Sequence, residues 1–111
     1  MSWNCKKIIL GIGLMVSLSQ ANAQVDAEAG KALSESKRCV RCHKMDEKGT
    51  GPSVREIAGK YKGVAGAQVA VLGRMRAGSK GIWGDKAMTA VNKDVTDEDL
   101  KVIVSWMLAP R

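Results

Sequence analysis

Residues 39 to 43 read Cys-Val-Arg-Cys-His, and few stretches of five residues restrict a fold as much. Two thiols three residues apart, with an imidazole directly after the second, suit three chemistries: a zinc site, a redox disulfide, or covalent attachment of a haem. Each needs a different scaffold, so the rest of the chain decides among them.

The chain has 111 residues, enough for one domain at most. It contains no Phe and one Tyr, so aromatic filling is scarce. A domain this small often needs a brace such as a disulfide, a metal or a cofactor. The N-terminus reduces it further. Lys6 and Lys7 precede an apolar run from Ile8 to Leu18, and Ala21-Asn22-Ala23 follows. That is the layout of a secretory signal peptide over residues 1–23, with cleavage expected between Ala23 and Gln24. The alternative is a retained membrane anchor, but the run is well short of the ~20 residues that span a bilayer. Cys5 precedes the run and is expected to leave with the signal.

The expected mature domain is residues 24–111. Without Lys6 and Lys7 the 18 Lys+Arg become 16, against 11 Asp+Glu, a formal charge of +5. The basic residues are scattered among acids, and an exported chain rarely meets DNA, so no nucleic-acid partner is expected. An acidic protein partner is the better correlate of that charge.

Periodicity predicts four short helices. The first runs over Asp26–Lys37, with Asp26 as its cap and basic residues at its end. Its apolar content is thin (Ala29, Ala32, Leu33), so it needs a close neighbour, which Gly30 would permit. Gly49-Thr-Gly-Pro-Ser is a turn, after which Val54, Ile57, Ala58 and Tyr61 follow helical spacing. A third helix covers Ala67–Ala77, with Val69, Leu72 and Met75 on one side and Gly78 as its stop. Gly78 to Val95 is an irregular segment, long enough to suggest function. Thr96-Asp-Glu-Asp opens the last helix, whose buried stripe is Leu100, Ile103, Val104 and Met107. No segment alternates at period two, so the class expected is all-α.

Structural zinc wants four ligands, and residues 24–111 offer two Cys and one His, with Cys42 and His43 adjacent. A thioredoxin-like dithiol wants a strand before the pair, and a helix precedes this one. Haem fits. Thiols at i and i+3 on a helical turn face one way, so both can form thioethers with one porphyrin edge, and the imidazole that follows lies beneath the iron. C-x-x-C-H is the attachment motif of c-type haem. Four short helices wrapped around one covalently bound haem also supply the missing core.

With Gly51-Pro52, Arg74, Gly78-Ser-Lys-Gly-Ile-Trp83-Gly, Met88 and Trp106, the chain resembles a small bacterial class I cytochrome c over essentially all of residues 24–111. The type it is most similar to is the periplasmic monohaem carrier that feeds electrons to haem nitrite reductase or a terminal oxidase. The resemblance implies thioethers at Cys39 and Cys42 and a proximal iron ligand at His43. It implies that the Pro52 carbonyl receives the His43 Nδ1 proton, and that Arg74 and Trp83 hydrogen-bond a haem propionate. A ligating histidine does need such an acceptor to hold its tautomer, and Arg and an indole N–H are suitable donors to a carboxylate.

The second iron ligand is expected to be Met88. Met45 follows His43 too closely to reach the opposite haem face, and Met75 and Met107 fall on apolar helix stripes. Only Met88 sits in the long irregular segment. The family usually flanks this methionine with prolines; here Ala87 and Thr89-Ala90 stand there, and the connection Val91–Val95 is longer, so a more mobile loop is expected. Asn92 is a candidate donor to the Met88 sulfur.

The function expected is one-electron transfer in the periplasm by a monomer without enzymatic activity, meeting redox proteins through an acidic docking patch on the partner. The alternative is a haem enzyme or gas sensor with an open sixth position, and a third reading is a domain that works only within a larger complex.

Overall fold

The computed structural model describes the backbone of residues 17–111 and the side chains of residues 27–111. Its helices are α1 (Ser17–Ser36), α2 (Val54–Lys60), α3 (Ala67–Ala77) and α4 (Asp97–Met107), with a 3₁₀ turn at Cys39–Arg41 between α1 and α2. The all-α expectation holds among the described residues, where the only β feature is an isolated antiparallel bridge between Ser79 and Met88. The expected signal peptide lies largely outside the described residues.

The first helix does not begin at Asp26 as expected. Helical backbone already runs from Ser17, through a segment whose Ala and Gln residues favour helix without help from a cap. The expected cleavage point between Ala23 and Gln24 falls within it. α1 stops where Arg38 takes a left-handed conformation (φ 64°), which turns the chain directly into the 3₁₀ turn.

α2 is short, and its start is doubly fixed. Ser53 Oγ accepts from Glu56 N at 3.0 Å while Glu56 Oε2 accepts from Ser53 N at 2.8 Å, a reciprocal cap that satisfies two backbone donors. α4 opens as expected: Thr96 Oγ1 accepts from Asp99 N at 3.1 Å, and Asp97, Glu98 and Asp99 occupy the positive end of its dipole.

The core is the buried face of α4 and what lies on it. Leu100, Ile103, Val104 and Met107 are all buried, joined by Val54, Met75, Val95 and Trp106. Each fully buried aliphatic side chain of this kind contributes roughly 1.5–3 kcal/mol. α1 and α4 pack directly against each other, as the bare backbone at Gly30 anticipated.

On α3 the buried side differs from the expected one. Met75 is buried and Leu72 partly so, but Val69 is 80% exposed. Steps of three residues drift about 60° around a helix of 3.6 residues per turn, so the third member of such a series leaves the stripe. The face turned to the core is Ala67, Val71 and Met75, at steps of four.

Candidate functional site

The Cys-His stretch is built on the chain reversal after α1. Cys42 N and His43 N both donate to Cys39 O, at 3.2 and 3.0 Å, which winds the two cysteines onto one tight turn. Both thiols are free. Cys39 is partly buried against the core, and Cys42 is exposed. Burial pushes the Cys39 thiol pKa up, opposed by a backbone hydrogen bond and reinforced by the neighbouring Cys42.

The following loop returns along the turn. Gly51 N donates to Cys42 O at 2.9 Å, Val54 N to Lys44 O at 2.8 Å and Arg55 N to Met45 O at 3.1 Å. These bonds place the Pro52 carbonyl 2.9 Å from His43 Nδ1. Since a carbonyl can only accept, Nδ1 carries the proton and Nε2 keeps the lone pair a metal needs. Gly51 makes room for this approach: a β-carbon there would lie 2.7 Å from His43 Cε1 and 3.0 Å from Nδ1.

Met88 sits partly buried against the same core cluster as Cys39. Its backbone is paired with Ser79, Ser79 N donating to Met88 O at 3.0 Å and Met88 N to Ser79 O at 2.8 Å. The neck of this loop is Gly78, whose φ of 80° suits glycine and whose missing β-carbon would meet Met88 O at 3.1 Å. The segment is therefore fastened by backbone hydrogen bonds where prolines are lacking. Met75 and Met107 are buried in the core, and Met45 is exposed.

The remaining expected residues have partners within the protein. Arg74 donates to the Tyr61 hydroxyl at 2.6 Å. Trp83 is 38% exposed, with Lys60 Nζ 4.9 Å from its ring centre. Lys60 and Tyr61, consecutive at the end of α2, thus bring Arg74 and Trp83 to one end of that helix. Asn92 Oδ1 accepts from Asp94 N at 3.2 Å, a local turn within its own loop.

Two contributors were not foreseen from sequence: Tyr61, expected only on the stripe of α2, and Lys60. Nothing in their local spacing marks them, because their partners lie on other elements. The Ser53–Glu56 cap was not expected either, although the Ser-x-x-Glu spacing after the turn is the signal that could have found it.

Tested on this geometry, the donor set fits haem c: two free thiols on one turn and an imidazole whose tautomer is set by a backbone carbonyl. It does not fit zinc, since the described residues include no group of three or more His, Cys, Asp or Glu able to hold a metal ion.

Residues 27–109 match the family described as cytochrome c. The chain is 38% identical over 106 residues to cytochrome c-551 of Stutzerimonas stutzeri, covering 94% of this chain and 97% of that protein. It is 35% identical over 86 residues to cytochrome c-552 of Nitrosomonas europaea, covering 78% of this chain and 79% of that one. The crystal structure of wild-type Nitrosomonas europaea cytochrome c552 matches the fold with a TM-score of 0.66 at 32% identity, over 70% of this chain and 95% of that one.

Proposed function

The chain belongs to the cytochrome c family of electron carriers, and we propose that it is a periplasmic one-electron carrier with His/Met axial ligation. In this reading residues 1–23 are a signal peptide and residues 24–111 the working domain, a monomer that delivers electrons to a terminal reductase or oxidase. It has no catalytic residues of its own.

Haem c, when bound, supplies an iron that gains and loses one electron. The chain's residues determine how it is held. Cys39 and Cys42 would anchor a single haem through two thioethers, and His43 would present Nε2 to the metal. The Pro52 carbonyl holds the proton on Nδ1, which fixes the ring's orientation and makes it a more basic ligand. Met88 would offer its thioether sulfur from the opposite loop, a ligand that raises the reduction potential. Arg74 and Trp83 would donate to a propionate, with Tyr61 and Lys60 steadying them. Held by both His43 and Met88, the metal would have no position left for a substrate. The observation that carries this reading is the 2.9 Å approach of Pro52 O to His43 Nδ1 beside two free thiols.

Intact-mass and optical measurements test it. The mass should be that of Gln24–Arg111 plus one haem, and the ferric protein should show the weak red iron–sulfur absorption. Met88→Ala should abolish that absorption, lower the potential and admit carbon monoxide readily to the reduced form. Absorption that survives Met88→Ala and vanishes in Met75→Ala or Met107→Ala would show that another methionine is the ligand.

A further inference from the structure

The last turn of α3 grips the segment that joins Met88 to α4. Met75 O, near the open end of the helix, accepts from Val91 N at 2.7 Å. The next residue, Arg76, uses three guanidinium nitrogens: Nε donates to Asp97 Oδ1 at 2.6 Å, one terminal nitrogen to Asn92 O at 3.3 Å, and the other to Val95 O. The Asp97 side chain is 65% exposed, and ion pairs that open to water contribute little. The bond to Val95 O is partly buried, and Val95 itself belongs to the core. The bond to Asn92 O is exposed and longer, so the weight of the contact falls on the Val95 carbonyl, with Asn92 O as a second point that a planar fork reaches at the same time and a lysine cannot.

This matters because of where the gripped residues lie. Residues 78–95 contain no proline. Among the described residues, no other side chain from outside this segment bonds to its backbone. Backbone that is not held recovers conformational freedom worth ~1–2 kcal/mol per residue, so a loop of this kind opens readily unless something fastens it. The geometry points to Arg76 as a positioning residue for Met88: by tying Asn92 and Val95 to α3 it keeps the loop closed and Met88 against the core. The inference rests on the proposed ligation by Met88.

Titration of the haem-loaded ferric protein with imidazole, which must displace Met88 in order to bind, tests it. Arg76→Met keeps the stem and removes every donor; imidazole should then bind about tenfold more tightly. Arg76→Lys keeps the charge beside Asp97 but cannot span both carbonyls, and should also bind imidazole several times more tightly than the parent. In a Met88→Ala background nothing is displaced, so Arg76→Met should change the affinity by less than about twofold. A lysine variant indistinguishable from the parent overturns the role of the fork. So does an Arg76→Met effect of less than about twofold beside intact Met88, or an equal effect in both backgrounds. Red absorption tests the premise separately. If it survives Met88→Ala, the ligation reading falls and this assignment with it; if it is lost there while Arg76→Met changes nothing, only this assignment falls.

Discussion

Trp106 of α4 occupies the space that a side chain at Gly30 of α1 would need: a β-carbon there would lie 2.9 Å from Trp106 Cγ and 3.0 Å from Val102 O. Two effects oppose each other at this position. Gly30→Ala gains roughly 1 kcal/mol of helix propensity. It also drives a methyl into a fixed backbone carbonyl and an indole at its branch point, an overpacking that costs ~1–3 kcal/mol. The clash should win, with a lower denaturant midpoint and an unchanged slope. A variant as stable as the parent would mean that α1 can slide on α4.

Gly51→Ala should act on the site itself. The added carbon, 2.7 Å from His43 Cε1, must push either the ring or the Pro52 carbonyl away. If His43 is the iron ligand as proposed, a longer hydrogen bond makes the imidazole a weaker donor to the metal and favours the reduced state, so the reduction potential should rise. Voltammetry reads this directly; a potential unchanged or lowered would contradict it.

Tyr61→Phe removes the hydroxyl that accepts from Arg74. The loss should be about 1 kcal/mol of stability, the usual net value of one such bond. In an Arg74→Leu background the same change should cost close to nothing, since the partner is gone. Equal costs in both backgrounds would place the tyrosine's contribution elsewhere.

Without haem the chain should lose much of its helix. α2 spans seven residues, and helices of that length do not persist unless packed. Cys39→Ala with Cys42→Ala, which removes both thiols of the proposed attachment, should give far-ultraviolet circular dichroism well below that of the haem-loaded parent. Helical signal equal to the holo form would show that the α4 core suffices alone.

Association with a redox partner should slow as salt rises. Arg41, Lys44 and Lys48 are exposed on the loop that carries the Cys-His stretch, and exposed charges act mainly on encounter rates. Stopped-flow rates indifferent to ionic strength would argue against an acidic docking patch.

What the sequence alone determined about this protein is what acts over a few residues. The spacing of Cys39, Cys42 and His43 narrows the chemistry to three, because one turn sets where three side chains point, and the missing further ligands and the helix before the pair leave haem attachment. Thr96 with the three acids after it places the start of α4, Gly78 the stop of α3, and the period of Leu100, Ile103, Val104 and Met107 the face that is buried. Gly30 was legible too, since a helix so poor in apolar bulk needs a close neighbour. Tertiary structure alone decided which side of α3 is buried, leaving Val69 in water. It also decided that Ser79 pairs with Met88, that Tyr61 holds Arg74, and that Arg76 reaches Asp97 across 21 positions of chain. A cap or a stripe is satisfied by its own neighbours, so its signal is written locally. An arginine on a helix is the same residue whether it faces solvent or a loop carbonyl, and only the packing of α3 against α4 chooses between them.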